Sequence, residues 1–182
     1  IEIMPAQQQV NESQWYRGSA DAVYQNLREI RRAAPAYVLV LAGDHIYRMD
    51  YGRILAAHVA RQADVTLACM EVPASDAERF AKLTLDESQR VVAMECHRDP
   101  KGPDSPATVM VGMGIYVFNR DVMIEMLKGG ETDFGKHIIP EAIGKRQVFS
   151  YVFQGYWEDI GTIRSFFEAN LDLASELPRF NF

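Results

Sequence analysis

Residues 37–42 read Tyr-Val-Leu-Val-Leu-Ala, apolar throughout except for one phenol hydroxyl, and the run stops at Gly43-Asp44. An unbroken apolar run of this length predicts a strand buried on both faces, as in a sheet covered by helices. A second, mostly apolar run fills residues 63–71. Between them, Ile54, Leu55 and Val59 fall near helical spacing and predict a helix over residues 51–62 with those three side chains inward. Strand, helix and strand with a short crossover make a right-handed βαβ unit, so the two strands should run parallel.

The flanking sequence extends this pattern in both directions. A Gln-rich loop leads to a helix over residues 19–34, with Ala20, Val23, Leu27 and Ile30 on its core face, Ser19 as N-cap and Pro35 ending it. Residues 82–85 and 90–95 read as two strands around the polar turn Asp86-Glu-Ser-Gln89, a hairpin. Pro and Gly mark residues 98–105 as loop, and residues 109–118 as strand before a helix capped by Asn119. A short helix over 138–143 and strands over 147–153 and 156–159 follow. A last helix starts at Thr162, with Phe166, Ala169, Asn170 and Leu173 at helical spacing. The expected fold is one α/β domain over residues 1–182: a mixed, mostly parallel sheet flanked by helices, with an inserted β-hairpin.

Composition narrows the function classes. At 182 residues, 48% hydrophobic and 24% charged, the chain has the make-up of an ordinary globular domain. A net charge of −6 argues against general nucleic-acid binding, which needs clustered cations. No apolar run reaches the ~20 residues that a membrane-spanning helix needs. Cys69 and Cys96 lack metal-type spacing, which favours free thiols in a reducing compartment, with Cys69 a small buried apolar residue. No signal peptide is visible. The start at Ile1 and the apolar end at Phe182 suggest a piece of a longer protein.

Two aspartates stand at predicted strand ends beside small residues: Gly43-Asp44 and Asp159-Ile-Gly161. Ligands of open α/β sheets bind beyond the carboxyl ends of strands. If both ends lie on one rim, the carboxylates can converge on Mg²⁺, which takes one or two carboxylates and accepts substrate phosphates. Such an ion would serve phosphoryl or nucleotidyl transfer. Two unrelated capping aspartates would give the same sequence. Gly18-Ser19 before a helix offers backbone N–H groups to a phosphate or a base edge, or is a plain helix start. His45 could touch a ligand or stabilise its turn, and His58 and His137 read as surface or helix-face residues. Trp15 and Trp157 could stack on a base or simply pack.

Several longer motifs carry a resemblance. They are Trp15-Tyr-Arg-Gly-Ser-Ala-Asp-Ala-Val23, Leu41-Ala-Gly-Asp-His-Ile-Tyr-Arg-Met-Asp-Tyr51, Met113-Gly-Ile-Tyr-Val-Phe118, Asp133-Phe-Gly-Lys136 and Tyr156-Trp-Glu-Asp-Ile-Gly-Thr162. In matching order over nearly the whole chain, they resemble the glucose-1-phosphate adenylyltransferases, or ADP-glucose pyrophosphorylases, among the sugar nucleotidyltransferases. The resemblance implies a Rossmann-like, GT-A-like catalytic domain, followed in the full protein by a left-handed β-helix, in a homo- or hetero-tetramer. It implies ATP and glucose 1-phosphate as substrates, Mg²⁺ as cofactor, and glycogen or starch synthesis in bacterial cytoplasm or plastid stroma, with no nucleic-acid or membrane partner.

Residue by residue, the resemblance makes Asp44 the catalytic, metal-binding aspartate and Asp159 its partner near the sugar phosphate. Tyr16, Arg17, Gly18, Ser19 and Gly43 match the segments beside the nucleotide. The family's Gly-rich phosphate loop would lie upstream of residue 1. Three departures fall on the sugar side. The family's Phe-Gly is Phe80-Ala81, its Glu-Lys-Pro aligns with Cys96-His97-Arg98, and its Ala-Ser-Met-Gly is Val111-Gly112-Met113-Gly114. His97 replaces a permanent cation with a group largely neutral at physiological pH, and Arg98 or Lys101 could supply the charge from a shifted position. The alternatives are a non-catalytic regulatory subunit of the same oligomer, a sugar nucleotidyltransferase of different sugar or base choice, or a plain Mg²⁺/phosphate-binding domain such as a receiver domain.

Overall fold

The computed structural model describes residues 2–5, 15–95 and 106–179. Cys96 and His97, with Arg98 and Lys101, lie outside the described residues. The central strand is β6 (Thr108–Asn119). On one side β6 pairs antiparallel with β3 (Val65–Pro73), which in turn pairs parallel with β7 (Val148–Val152). On its other side, β1 (Tyr37–Val40) and β4 (Lys82–Leu85) pair with successive stretches of β6, and β5 (Val91–Glu95) closes the hairpin against β4. β1, β3, β4 and β7 therefore run one way and β5 and β6 the other, a mixed sheet. The strands flanking the predicted crossover are parallel as expected, but β6 stands between them.

Alternation along β6 builds a core on each face. Tyr116 and Phe118 join Leu27, Met123, Leu127, Phe134 and Ile138 beneath α1 (Ser19–Gln25), α2 (Leu27–Ala33), α4 (Arg120–Leu127) and α5 (Ile139–Ile143). Met113, Ile115 and Val117 face the opposite layer with Ile54 of α3 (Tyr51–Ala60), Phe153 and Trp157. Cys69 is fully buried in the first of these cores.

Several expectations change. The helix over 19–34 breaks at Asn26, whose amide donates to the Ala22 carbonyl at 2.8 Å and to the Tyr16 hydroxyl at 2.9 Å. Its N-cap is Gly18, with Ser19 already helical. β1 is not buried on both faces: Tyr37 and Leu39 are 36% and 37% exposed while Val38 and Val40 pack on the core. Among the described residues it pairs with β6 alone, so it behaves as an edge strand.

On α3 the inward stripe is Ile54 and His58, four residues apart, and Leu55 and Val59 face outward. His58 is thus a core residue. Its Nδ1 lies 2.8 Å from the Thr66 hydroxyl and its Nε2 lies 3.3 Å from Asn119 Oδ1. An amide oxygen only accepts, so Nε2 carries the proton and Nδ1 accepts from Thr66. Asn119 holds the N-cap position of α4 as expected, but this use of its side chain leaves no side-chain cap bond.

The last helix, α6 (Ile163–Leu173), opens with a reciprocal Thr162–Ser165 capping box. It buries Ser165 and Ala169 and leaves Phe166 and Phe167 more than half exposed.

Candidate active site

A strand of three residues decides the site. β2 (His45–Tyr47) pairs antiparallel with β8 (Trp157–Asp159), setting His45 opposite Asp159. The Ile160 N–H donates to the Asp44 carbonyl at 3.0 Å, extending the ladder by one bond. The two strand-end aspartates therefore share one rim. His45 Nε2 lies 3.6 Å from Asp44 Oδ1 and 3.8 Å from Asp159 Oδ1. One possible ligand atom from each of the three residues lies within 4.8 Å of the others. Asp44 is largely exposed, while His45 and Asp159 are mostly buried. Two carboxylates this close repel unless a cation sits with them, and their oxygens suit a hard divalent ion. A Cβ at Gly43 would meet nothing within 4 Å, so the space beside Asp44 is open.

Next to this pair lies a cavity of about 240 Å³. Its walls include His45, Phe80, Gly112, Tyr116, Trp157 and Asp159. Three rings line up along it, with centroids 5.2 Å apart for His45 and Trp157 and 5.0 Å apart for Trp157 and Phe80. Gly114 has φ +68°, and a Cβ there would lie 3.2 Å from His45 Cε1, so both conformation and space call for glycine. Ala81 and Gly112 meet through a 2.9 Å bond from the Gly112 N–H to the Ala81 carbonyl. A Cβ on Gly112 would have ordinary clearance, 3.9 Å from that oxygen. His45 Nδ1 and Trp157 Nε1 are buried without a hydrogen-bond partner among the described residues. Buried polar atoms without a partner are costly. Burial raises the Glu158 carboxyl above its ordinary range, against the pull of Arg79.

The segment matched to the nucleotide has structural partners of its own. The Tyr16 hydroxyl donates to the Met4 carbonyl at 2.7 Å. Arg17 gives Asp21 its backbone N–H at 2.9 Å and a guanidinium N–H at 3.1 Å. Burial pushes the Asp21 carboxyl up, but these bonds and one from Gln25 outweigh it and hold the group below the ordinary range. Ser19 Oγ accepts from the Phe134 N–H at 3.2 Å. The Ala20 and Asp21 N–H groups both donate to the Thr132 carbonyl, so the helix start is not the open anion cradle expected of it.

The family model described as nucleotidyl transferase matches residues 1–176. The chain belongs to the nucleotidyl transferase family. It is 43% identical over 199 residues to a glucose-1-phosphate adenylyltransferase of Dechloromonas aromatica, covering all of this chain and 45% of that one. It is 46% identical over 196 residues to the enzyme so named in Methylococcus capsulatus, covering all of this chain and 46% of that one. For the Nitrosomonas europaea protein of that name, the identity is 44% over 200 residues, with all of this chain and 46% of that one covered. The chain thus spans a little under half the length of these relatives. Alignments longer than its own 182 residues mean that they also carry residues it lacks within the matched span.

Within this nucleotidyl transferase fold, Asp44 and Asp159 come together, and Ala81 and Gly112 line the adjoining cavity or touch its wall. Sequence reasoning overlooked β2, the position of His45 between the carboxylates, and Arg79, whose Nη1 lies 3.7 Å from Asp159 Oδ2. Arg79 carried no motif signal. His45 did, in the Gly-Asp-His stretch, but only the ladder gives it a direction.

Proposed function

We propose that this chain carries the catalytic site of a glucose-1-phosphate adenylyltransferase, joining ATP and α-D-glucose 1-phosphate into ADP-glucose and diphosphate. The observation that carries the reading is the convergence of Asp44 and Asp159 beside a ring-lined cavity. The relatives' shared name supplies the substrates. A phosphate oxygen of the sugar phosphate attacks the α-phosphorus of ATP, and the bond from that phosphorus to the diphosphate oxygen breaks as the new one forms. Asp44 and Asp159 would hold Mg²⁺, which when bound offsets phosphate charge and favours an in-line approach. Trp157 and Phe80 offer an apolar wall to the sugar ring, and Gly114 keeps the cavity clear beside His45. Tyr16, Arg17, Gly18, Ser19 and Gly43 are proposed on the nucleotide side, with Ala81, Cys96, His97 and Gly112 at the sugar-phosphate positions. The working protein is proposed as a tetramer.

A second reading has support at the cavity wall. Ala81 and Gly112 stand where the resemblance has a glycine and a serine, so a hydroxyl that could bind sugar is missing. That suits a regulatory subunit with a weakened sugar site. Formation of ADP-glucose from labelled ATP and glucose 1-phosphate separates the two. The catalytic reading expects Mg²⁺-dependent product, reduced at least about a hundredfold in Asp44→Asn. Intact ATP binding with no product and no glucose 1-phosphate binding would favour the regulatory one.

A further inference from the structure

Arg79 sits at the end of the cavity's aromatic wall. Its guanidinium carbon lies 5.2 Å from the Phe80 ring centroid, and that ring packs in turn on Trp157. It is the one Lys or Arg side chain lining the cavity among the described residues. Its ion-pair partner is Asp159, at 3.7 Å, beyond hydrogen-bond length, so the donor fork is not spent on the carboxylate.

We infer that Arg79 is the cation that grips the phosphate of the sugar phosphate bound in this cavity. The inference rests on the proposed reading of the cavity as the sugar-phosphate site. An anionic phosphate brought beside Asp159 meets a carboxylate and needs positive charge on either side of it. A divalent ion at Asp44 and Asp159 would supply one side and release Arg79 from its only ion pair among the described residues. Arg79 supplies the other, and its planar fork matches two phosphate oxygens at once. The cavity then holds the sugar between its rings while the fork sets the phosphate at the rim. At position 97 the family's lysine is a histidine, and Arg79 is the permanent cation that the described cavity wall offers.

The test is calorimetric titration of the protein and of Arg79→Gln and Arg79→Lys with glucose 1-phosphate, glucose and ATP, each with Mg²⁺. Arg79→Gln should weaken glucose 1-phosphate binding about tenfold to a hundredfold, with ATP and glucose unchanged, and Arg79→Lys should recover part of the loss. Equal glucose 1-phosphate affinity in the parent and Arg79→Gln overturns the inference while leaving the proposed function standing. A parallel loss of all three ligands also overturns it, as a structural role for Arg79. If the parent binds no glucose 1-phosphate, inorganic phosphate and other hexose phosphates serve as probes. Arg79-dependent binding of one of these would uphold the inference and sink the proposed function. Binding of none would overturn both.

Discussion

His45 and Asp159 face each other across the β2–β8 ladder, with His45 Nε2 3.8 Å from Asp159 Oδ1 and 3.6 Å from Asp44 Oδ1. One backbone pairing thus joins two chain segments more than a hundred residues apart into one polar cluster. The imidazole is fixed by rings as well as by backbone, since Trp157 packs edge-on against it. The remaining consequences follow from how tightly the surroundings hold this arrangement.

Gly114→Ala should disturb the cluster without touching a charge. The added methyl would meet His45 Cε1 at 3.2 Å in a left-handed backbone conformation. A cost of about 1–2 kcal/mol in unfolding free energy is expected from the backbone alone. Urea unfolding reads the stability, and a shifted His45 imidazole resonance reads the displacement. An unshifted resonance would show that the ring has slack.

Gly18→Ala tests the packing of the segment matched to the nucleotide. Its Cβ would lie 2.4 Å from the Thr132 carbonyl oxygen, a backbone atom that also accepts from Ala20 and Asp21. Loss of about 1–3 kcal/mol is expected, as for other overpacked sites. Gly144→Ala is the control. Nothing lies within 4 Å of its Cβ and its φ is −80°, so it should be neutral or stabilising by up to about 1 kcal/mol. Equal behaviour of the two variants in denaturant would contradict this.

Gly112→Ser restores the hydroxyl that the resemblance has at this position, and the structure leaves it room. A new neutral hydrogen bond to a sugar oxygen is worth about 0.5–1.5 kcal/mol. Glucose 1-phosphate affinity should therefore rise roughly twofold to tenfold, with ATP affinity unchanged. An unchanged sugar-phosphate affinity in titration would place position 112 outside the sugar contact.

His58 should make stability fall in mild acid. Burial lowers its folded-state pKa, and the Asn119 bond and the Asp64 charge offset this only in part. The unfolded chain therefore binds the proton more readily, near the ordinary value of about 6.5. Above that pH the group contributes no slope. As pH drops through it, the folded state loses ground until the lowered folded pKa is reached. Chemical unfolding between pH 7.5 and 5 should show the fall, and His58→Gln should flatten this component. A variant with the parent's full slope would assign the effect to other groups.

The sequence made the large pieces legible and hid the small ones. Continuous or alternating apolar runs at β3 and β6 marked their strands because many side chains vote together. β2 has three residues and no pattern of its own, so its pairing with β8 is a tertiary fact. β1 looked doubly buried because periodicity cannot tell an edge strand from a central one. His58 read as a surface or helix-face residue, and the buried face was settled only by its partners Thr66 and Asn119, which the fold brings near. At the site, Asp44 and Asp159 were legible from their neighbours and from the resemblance. Arg79 was not, because its meaning lies entirely in what it faces.

The most direct measurement is divalent-ion binding across a double-mutant cycle. Mn²⁺ would be titrated by electron paramagnetic resonance into the parent, Asp44→Asn, Asp159→Asn and the double variant, each with ATP present. A shared site predicts that each single change weakens binding at least about tenfold and that the double is scarcely worse than the weaker single. Parent-like binding in either single variant, or losses that simply add, would mean that Asp44 and Asp159 do not hold one ion together.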